Sequence, residues 1–301
     1  SEHGLSRLQG ATSDANLWIP AHGNPNLTSP RATSPEAHLL LPKPPTCPRT
    51  GLKLYYPFDL ASALPVMALL TCIRPGAHVF DACSAPGGKF LILAGVLLGG
   101  ALAKSTGRQG VSRVSRLVAM DRDRFRLSRL KQNLRLYLPP EALAHAHVVS
   151  GDSTQPQVAL RGQQSFDAAL VDAPCSSERE RLLRAAQYAR ARDASGAARP
   201  QDGAIGYNSQ EAWDIPWDRK RARSNAKRQV SLVKAAVQNC APHGSVVYST
   251  CALSDIENDE VVEEVLQGIP HGWRCCSGSL GSEDHGTGLG LLPEGLAQVE
   301  V

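Results

Sequence analysis

Three short segments carry residue types that could do chemistry, and each closes an apolar run: Asp81-Ala-Cys-Ser-Ala-Pro-Gly-Gly-Lys89, Asp172-Ala-Pro-Cys175 and Ser249-Thr250-Cys251. An apolar run ending in such a turn is what a buried parallel strand looks like when it delivers residues to a site at its carboxyl end. Three deliveries imply one shared site. Cysteines facing a glycine-rich turn suit a nucleophile that attacks an electron-poor ring while a cofactor supplies a group. The turn itself is neither a dinucleotide nor a phosphate loop. Its only glycines are Gly87 and Gly88, preceded by Pro86, and no Ser or Thr follows Lys89.

Acids end successive runs: Asp121 the second, Asp152 the third and Asp172 the fourth. Ionised carboxylates only accept hydrogen bonds, so an acid after the second strand can take two ribose hydroxyls and one after the third an adenine amino group. That set favours an adenosyl cofactor. With a sulfonium cofactor, methyl transfer to carbon needs a nucleophilic carbon, and carbon 5 of a pyrimidine becomes one when a thiolate adds to carbon 6 of a ring polarised near N3. Cys251 could be the thiolate and Asp172 the ring partner, leaving Cys175 to remove the carbon 5 proton or release the product. Against this stand plainer readings: buried small apolar cysteines, and Asp121 as a helix N-terminal acid.

The elements that must position these residues alternate. Strands are expected at Ala77 to Phe80, Arg116 to Met120, His147 to Val149, Phe166 to Val171 and Ser245 to Tyr248. Between them lie helical patterns: the apolar spacing from Tyr55 to Leu70, interrupted by Pro65; the apolar run Phe90 to Leu98; the amphipathic basic segment Arg122 to Leu138; and about Asn225 to Asn239. Ser254-Asp-Ile-Glu257 reads as a capping box for a helix to Leu266. The expected fold is α/β, a doubly wound, mostly parallel sheet over residues 52–301, preceded by an irregular Pro- and Ser-rich extension over 1–51. A mobile basic insertion is expected at about 179–224.

Charge is unevenly placed. Arg179 to Arg228 holds 12 Lys or Arg against 6 Asp or Glu, whereas Ala252 to Val301 holds 10 acids and one base, so one face suits a polyanion unless the bases merely solvate a loop. Trp213 and Trp217 could stack on nucleobases. No run of about 18 apolar residues could span a membrane, no C-x-x-C zinc spacing occurs, and eight cysteines in so long a chain fit a reducing compartment better than a disulfide framework. The vicinal pair Cys275-Cys276 is read as strand material.

The motifs DACSAPGGK, DAPCSSER and VYSTCALSDIEN resemble, in order and spacing over residues 52–276, the Nol/Nop/Sun family of RNA cytosine-5 methyltransferases. The resemblance implies a Rossmann-like fold that binds S-adenosylmethionine, with the methionine portion at Cys83, Ser84, Ala85, Pro86, Gly87, Gly88 and Lys89. It places the ribose at Asp121, the adenine at Asp152, and the methyl donor and target base near Asp172. Cys251 becomes the nucleophile, and Cys175 assists release. Glu178-Arg179 and Tyr55-Tyr-Pro-Phe-Asp59 are similar to the mitochondrial branch acting on ribosomal or transfer RNA, which implies a mitochondrial location, rather than a cytoplasmic or nuclear one, and a helical-repeat partner protein. The chain departs from the pattern at Phe90, where Thr or Ser is usual, and ends before the expected final strand. That missing edge keeps a non-catalytic RNA-binding scaffold open as the competing reading.

Overall fold

Four of the five apolar runs become strands buried on both faces, and the fifth, at Ala146–Ser150, is half-exposed at the sheet edge. The computed structural model describes residues 43–58, 60–74, 76–98, 116–161, 165–179 and 218–269, together with 5–7, 18–20, 273–276, 296–300 and the single positions 181, 182 and 186. In the leading segment β1 (Leu5–Arg7) and β2 (Trp18–Pro20) pair antiparallel, a regular element where irregular chain was expected.

The main sheet contains β3 (His78–Asp81), β4 (Arg116–Asp121), β5 (Ala146–Ser150), β6 (Phe166–Asp172) and β7 (Cys240–Ser249), all parallel in the order β5-β4-β3-β6-β7. Successive strand residues face opposite sides, and both sides are apolar. Val79, Leu117, Ala119 and Leu170 pack in one core with α1 (Leu60–Cys72), α2 (Gly88–Leu97) and α3 (Arg124–Tyr137). Phe80, Val118, Met120, Ala169 and Val171 pack in the other. Short helices α4 (Pro140–Leu143) and α5 (Pro156–Ala159) flank β5, while α6 (Arg219–Gln238) and α7 (Asp259–Gly268) cover the second core. The fold is therefore the expected doubly wound α/β sheet.

The sheet continues beyond β7. Strand β8 (Arg274–Cys276), which contains the vicinal cysteines, pairs antiparallel with β9 (Leu296–Glu300), and β9 pairs antiparallel with β7. The final strand expected to be missing is thus present. It went unread because Leu-Ala-Gln-Val-Glu is too short and mixed to stand out within a Gly- and acid-rich tail. The supposed basic insertion is also shortened, since residues 219–224 are the first turns of α6, capped by the Asp218 carboxylate on the N–H groups of Lys220 and Arg221. Residues 183–185 and 187–217, with Trp213 and Trp217, lie outside the described residues.

Strand β3 lies between β4 and β6, so the chain reverses its direction of travel across the sheet there. The crevice at the carboxyl ends of β3 and β6 is the position at which doubly wound sheets bind ligands. Asp81 and Asp172 end those strands.

Candidate active site

The glycine turn is held from three directions. Ala82 N–H donates to Leu170 O (2.9 Å) and Ser84 N–H to Met120 O (3.0 Å), tying the turn to both neighbouring strands. Helix α3 clasps it from the side: Arg126 Nη2 donates to Ala85 O, and Asn133 Nδ2 to Pro86 O at 2.9 Å. The Ser153 hydroxyl donates to Ala82 O from the loop after β5. Gly87 adopts φ +108°, a backbone region unfavourable to side chains, and a Cβ there would lie 2.4 Å from Leu130 Cδ1. At Gly88 a Cβ would lie 2.5 Å from Phe58 Cε2.

These contacts frame a cleft of about 240 Å³ whose walls include Cys83 to Pro86, Gly88, Lys89, Asp81 and Asp172. The opposite wall is Tyr56, Pro57, Phe58 and Ser62, so the Tyr-Tyr-Pro-Phe segment upstream of α1 belongs to the site. Asp81 is 1% exposed, and neither carboxylate oxygen has a hydrogen-bond partner. Burial raises its carboxyl to about 7; Ser84 opposes the shift, the charge of Asp172 adds to it and Lys89 opposes it. A buried acid met only by the weakly placed Ser84 hydroxyl and Cys83 N–H, opening on a cleft, fits a ligand that carries a cationic group. The cleft therefore fits the amino-acid end of the expected cofactor. The sequence reading had used Asp81 only to mark the start of the turn.

Asp121 is 5% exposed; its Oδ1 accepts from Asp123 N–H at 2.9 Å, and Oδ2 is buried without a hydrogen bond, 3.5 Å from Arg126 Nη1. The residue that caps α3 is Asp123, which accepts from Phe125 and Arg126 N–H. Asp121 therefore remains a strand-end acid. Asp152 is more open: Oδ1 accepts from the Thr154 N–H and hydroxyl, both at 3.0 Å, and from Arg228 Nη2 at 3.2 Å. Burial alone would raise its carboxyl, but the Thr154 bonds and the Arg228 and Arg122 charges outweigh burial, and the net shift is downward. Neither Asp121 nor Asp152 lines the cleft beside Asp81; Asp121 ends β4 and Asp152 lies two residues past the end of β5.

On the other side of β3 the two cysteine turns meet. Asp172 accepts from Lys89 Nζ at 2.6 Å through Oδ2 and from the Ser249 hydroxyl at 2.9 Å through Oδ1. Three residues beyond Asp172 and two beyond Ser249, Cys175 Sγ and Cys251 Sγ lie 3.0 Å apart, and Cys251 N–H donates to Cys175 Sγ at 3.3 Å. The contact with Cys251, together with burial, pushes the Cys175 thiol far up. The two sulfurs share one contact in which either thiol can donate. Burial also raises the Cys83 thiol, with the charges of Asp81, Asp121 and Asp172 adding. Glu178 Oε2 accepts from Leu253 N–H (2.8 Å) and Arg179 N–H donates to Cys251 O (3.1 Å), so the Glu-Arg pair braces the Cys251 turn.

Sequence reading missed two further residues. Glu257 was assigned to a capping box, but its carboxylate points inward to Ser176 N–H (3.1 Å) and Gln229 Nε2 (3.0 Å), while the Ser254 hydroxyl accepts from Ile256 N–H. Residues Asp255–Glu257 form a separate 3-10 turn, and α7 starts after it. Asn258 binds the turn around Cys251. The Ile-Glu-Asn run after the Thr-Cys motif was the available signal. Among the described residues, no group of three or more His, Cys, Asp or Glu could hold a metal ion, and no helix is long and apolar enough to cross a membrane.

The chain is similar to known RNA methyltransferases. The family described as 16S rRNA methyltransferase RsmB/F matches residues 68–191 and 208–284. The mitochondrial tRNA (cytosine(34)-C(5))-methyltransferase of Mus musculus is 33% identical over 219 residues, covering 72% of this chain and 50% of the relative. The 5-cytosine rRNA methyltransferase NSUN4 of Bos taurus is 31% identical over 220 residues, covering 72% and 46%. The chain thus spans about half the length of the curated relatives it matches. The structure of NSun6 from Pyrococcus horikoshii with SFG shares the fold, with a TM-score of 0.52 at 19% identity over 81% of this chain and 52% of that one.

Proposed function

Because the chain belongs to the family described as 16S rRNA methyltransferase RsmB/F, we propose that it methylates carbon 5 of a cytosine in structured RNA through a covalent bond between Cys251 and carbon 6. The observation that carries this reading is the 3.0 Å contact between Cys175 and Cys251 at the ends of β6 and β7, beside the acid-lined cleft. When bound, S-adenosylmethionine supplies the methyl group. Residues Cys83 to Lys89 and Asp81 would hold its amino-acid portion, Asp121 its ribose and Asp152 its adenine.

The chain's own residues do the rest. The Cys251 thiolate adds to carbon 6, the ring's electron pair moves toward carbon 5 and N3, and a proton reaching N3 by way of Asp172 neutralises the charge that builds there. Lys89 and Ser249 fix both oxygens of Asp172, so it enters the reaction already oriented. After methylation the carbon 5 proton passes to water, the carbon 5–carbon 6 double bond reforms, and the carbon–sulfur bond breaks to return the Cys251 thiolate. Cys175, beside that sulfur, is placed to assist release. The target base must leave its stack, because the faces of a stacked ring are closed to attack.

The RNA backbone meets α6. Its first ten residues include Arg219, Lys220, Arg221, Arg223 and Lys227, all exposed, and the half-buried Arg228. Cations at a helix N-terminus are opposed by the helix dipole, so their concentration there, offset by the Asp218 cap, favours a polyanionic partner over simple solvation. The name of the Mus musculus relative supports a mitochondrial location, the two relatives' names support a ribosomal or transfer RNA substrate, and the family resemblance supports a helical-repeat protein partner.

The test incubates the full-length protein with ribosomal or transfer RNA and methyl-labelled S-adenosylmethionine, followed by nucleoside identification. Label in 5-methylcytidine supports the reading. Label in another nucleoside contradicts it, and cofactor binding without any labelled RNA favours the scaffold reading.

A further inference from the structure

The two reacting thiols come from turns 76 residues apart in sequence, joined directly by Arg179 N–H to Cys251 O and by Leu253 N–H to Glu178 Oε2. A third segment holds both turns from behind. Glu257 and Asn258 are consecutive, buried (0% and 8% exposed) and turned toward different partners.

Glu257 Oε1 accepts from Ser176 N–H at 3.1 Å, the residue after Cys175. It also accepts from Gln229 Nε2 at 3.0 Å, and the same Nε2 donates to Pro174 O, the residue before Cys175, at 3.0 Å. Cys175 is therefore gripped on both flanks. Asn258 does the same for Cys251. Its Oδ1 accepts from the Thr250 hydroxyl at 2.6 Å, and its Nδ2 donates to Ala252 O and Ser254 O, both at 3.1 Å. The pair is itself anchored to β7, where the buried Tyr248 hydroxyl donates to Glu257 O at 2.6 Å.

We propose that Glu257 and Asn258 are positioning residues: a single 3-10 turn that holds the Cys175 and Cys251 turns in register and so sets the sulfur contact. This rests on the reading of those thiols as the reacting pair. A carboxylate is a costly group to bury, and the hydrogen bonds this one makes hold the Cys175 turn; its second oxygen has no hydrogen-bond partner. Its retention therefore has a positional reason. Misplacement of a reacting group by about 1 Å costs on the order of 100-fold in rate.

Four variants test this in the full chain. Asn258→Asp removes two donors at almost constant shape, and Thr250→Val removes the hydroxyl without changing the volume. Glu257→Ala removes the acceptor, whereas Glu257→Gln keeps one. Two quantities are read. One is kcat against KM for the cofactor; the other is the rate at which diamide links Cys175 to Cys251, followed by peptide mapping. Asn258→Asp and Thr250→Val are expected to lower kcat by about 100-fold and slow the linkage at least tenfold, with KM for the cofactor unchanged and cofactor binding retained. Glu257→Gln is expected to stay near wild type where Glu257→Ala fails.

Wild-type kcat and linkage rate in Asn258→Asp and Thr250→Val would overturn the proposal. So would Glu257→Gln behaving like Glu257→Ala, or loss of cofactor binding in all the variants, which would make the turn a general folding element. The linkage rate needs no RNA turnover. A wild-type chain that fails to methylate RNA would therefore count against the functional reading, while the linkage rates still decide the role of this turn.

Discussion

Lys89 Nζ lies 2.6 Å from Asp172 Oδ2 and so joins the glycine turn after β3 to the strand that leads into the Cys175 turn. One ion pair therefore couples the glycine-turn end of the cleft to the cysteine end. The same lysine lowers the carboxyl of Asp81, and Asp172 raises it. Replacing Lys89 with Met leaves two carboxylates facing one cleft without their shared cation. We expect Lys89→Met to push the Asp81 carboxyl further up and to move the pH dependence of cofactor affinity to higher pH. Titration calorimetry across pH 5 to 9 checks this; an unchanged profile would show that Lys89 does not act on Asp81.

Asp81 gives a prediction about stability as well. Its folded value of about 7 lies above the ordinary 3.8, so the folded chain holds a proton that the unfolded chain has released. Stability therefore falls as pH rises from about 4 to 7, and the full cost, on the order of 4 kcal/mol, is present above 7. Asp81→Asn is expected to be more stable than wild type in urea at pH 8, to match it near pH 4 and to bind the cofactor more weakly. A variant no more stable than wild type at pH 8 would refute this account of the buried acid.

The two glycines of the turn should fail differently. Gly87→Ala forces a side chain into φ +108° and against Leu130, and should cost about 1–3 kcal/mol in chemical denaturation. Gly88→Ala meets the edge of the Phe58 ring, which can swing away. It should cost less stability but displace a wall of the cleft, so its larger effect should be on cofactor affinity. Equal losses of stability in both variants would contradict this division.

Neutralising Arg219, Lys220, Arg221 and Arg223 together should flatten the dependence of RNA affinity on salt. Each lost phosphate contact lowers the log–log slope by about 0.7 to 0.9, so a fall of about 3 is expected if all four bind the backbone. Filter binding over a salt series reads it directly. A slope unchanged from wild type would return these bases to the role of a solvated helix end.

The parallel sheet was legible because strands buried on both faces are written as uninterrupted apolar runs, as Leu117 to Met120 is. The start of α6 was not, because its first turns are almost wholly charged and show no apolar period before Val230. Strand β9 was missed for lack of an apolar run. Within the site, the glycine turn and the two cysteines could be read from local motifs. Asp81, Glu257 and Asn258 could not, since their roles come from burial and from partners brought together only by folding; Ser176 and Glu257 are 81 residues apart. The capping-box reading of Ser254 and Glu257 failed for that reason. A local pattern assigned to the helix end a carboxylate that tertiary contacts draw into the core.

The most direct test of the central claim is trapping. Cys175→Ala, incubated with substrate RNA and S-adenosylmethionine and run on a denaturing gel, should retain a protein–RNA adduct, because Cys251 can attack but release is impaired. The adduct should disappear when Cys251→Ala is added. An adduct that forms only when Cys251 is removed would show the two thiols to be assigned in reverse, and no adduct in a variant that still methylates RNA would contradict the release role of Cys175.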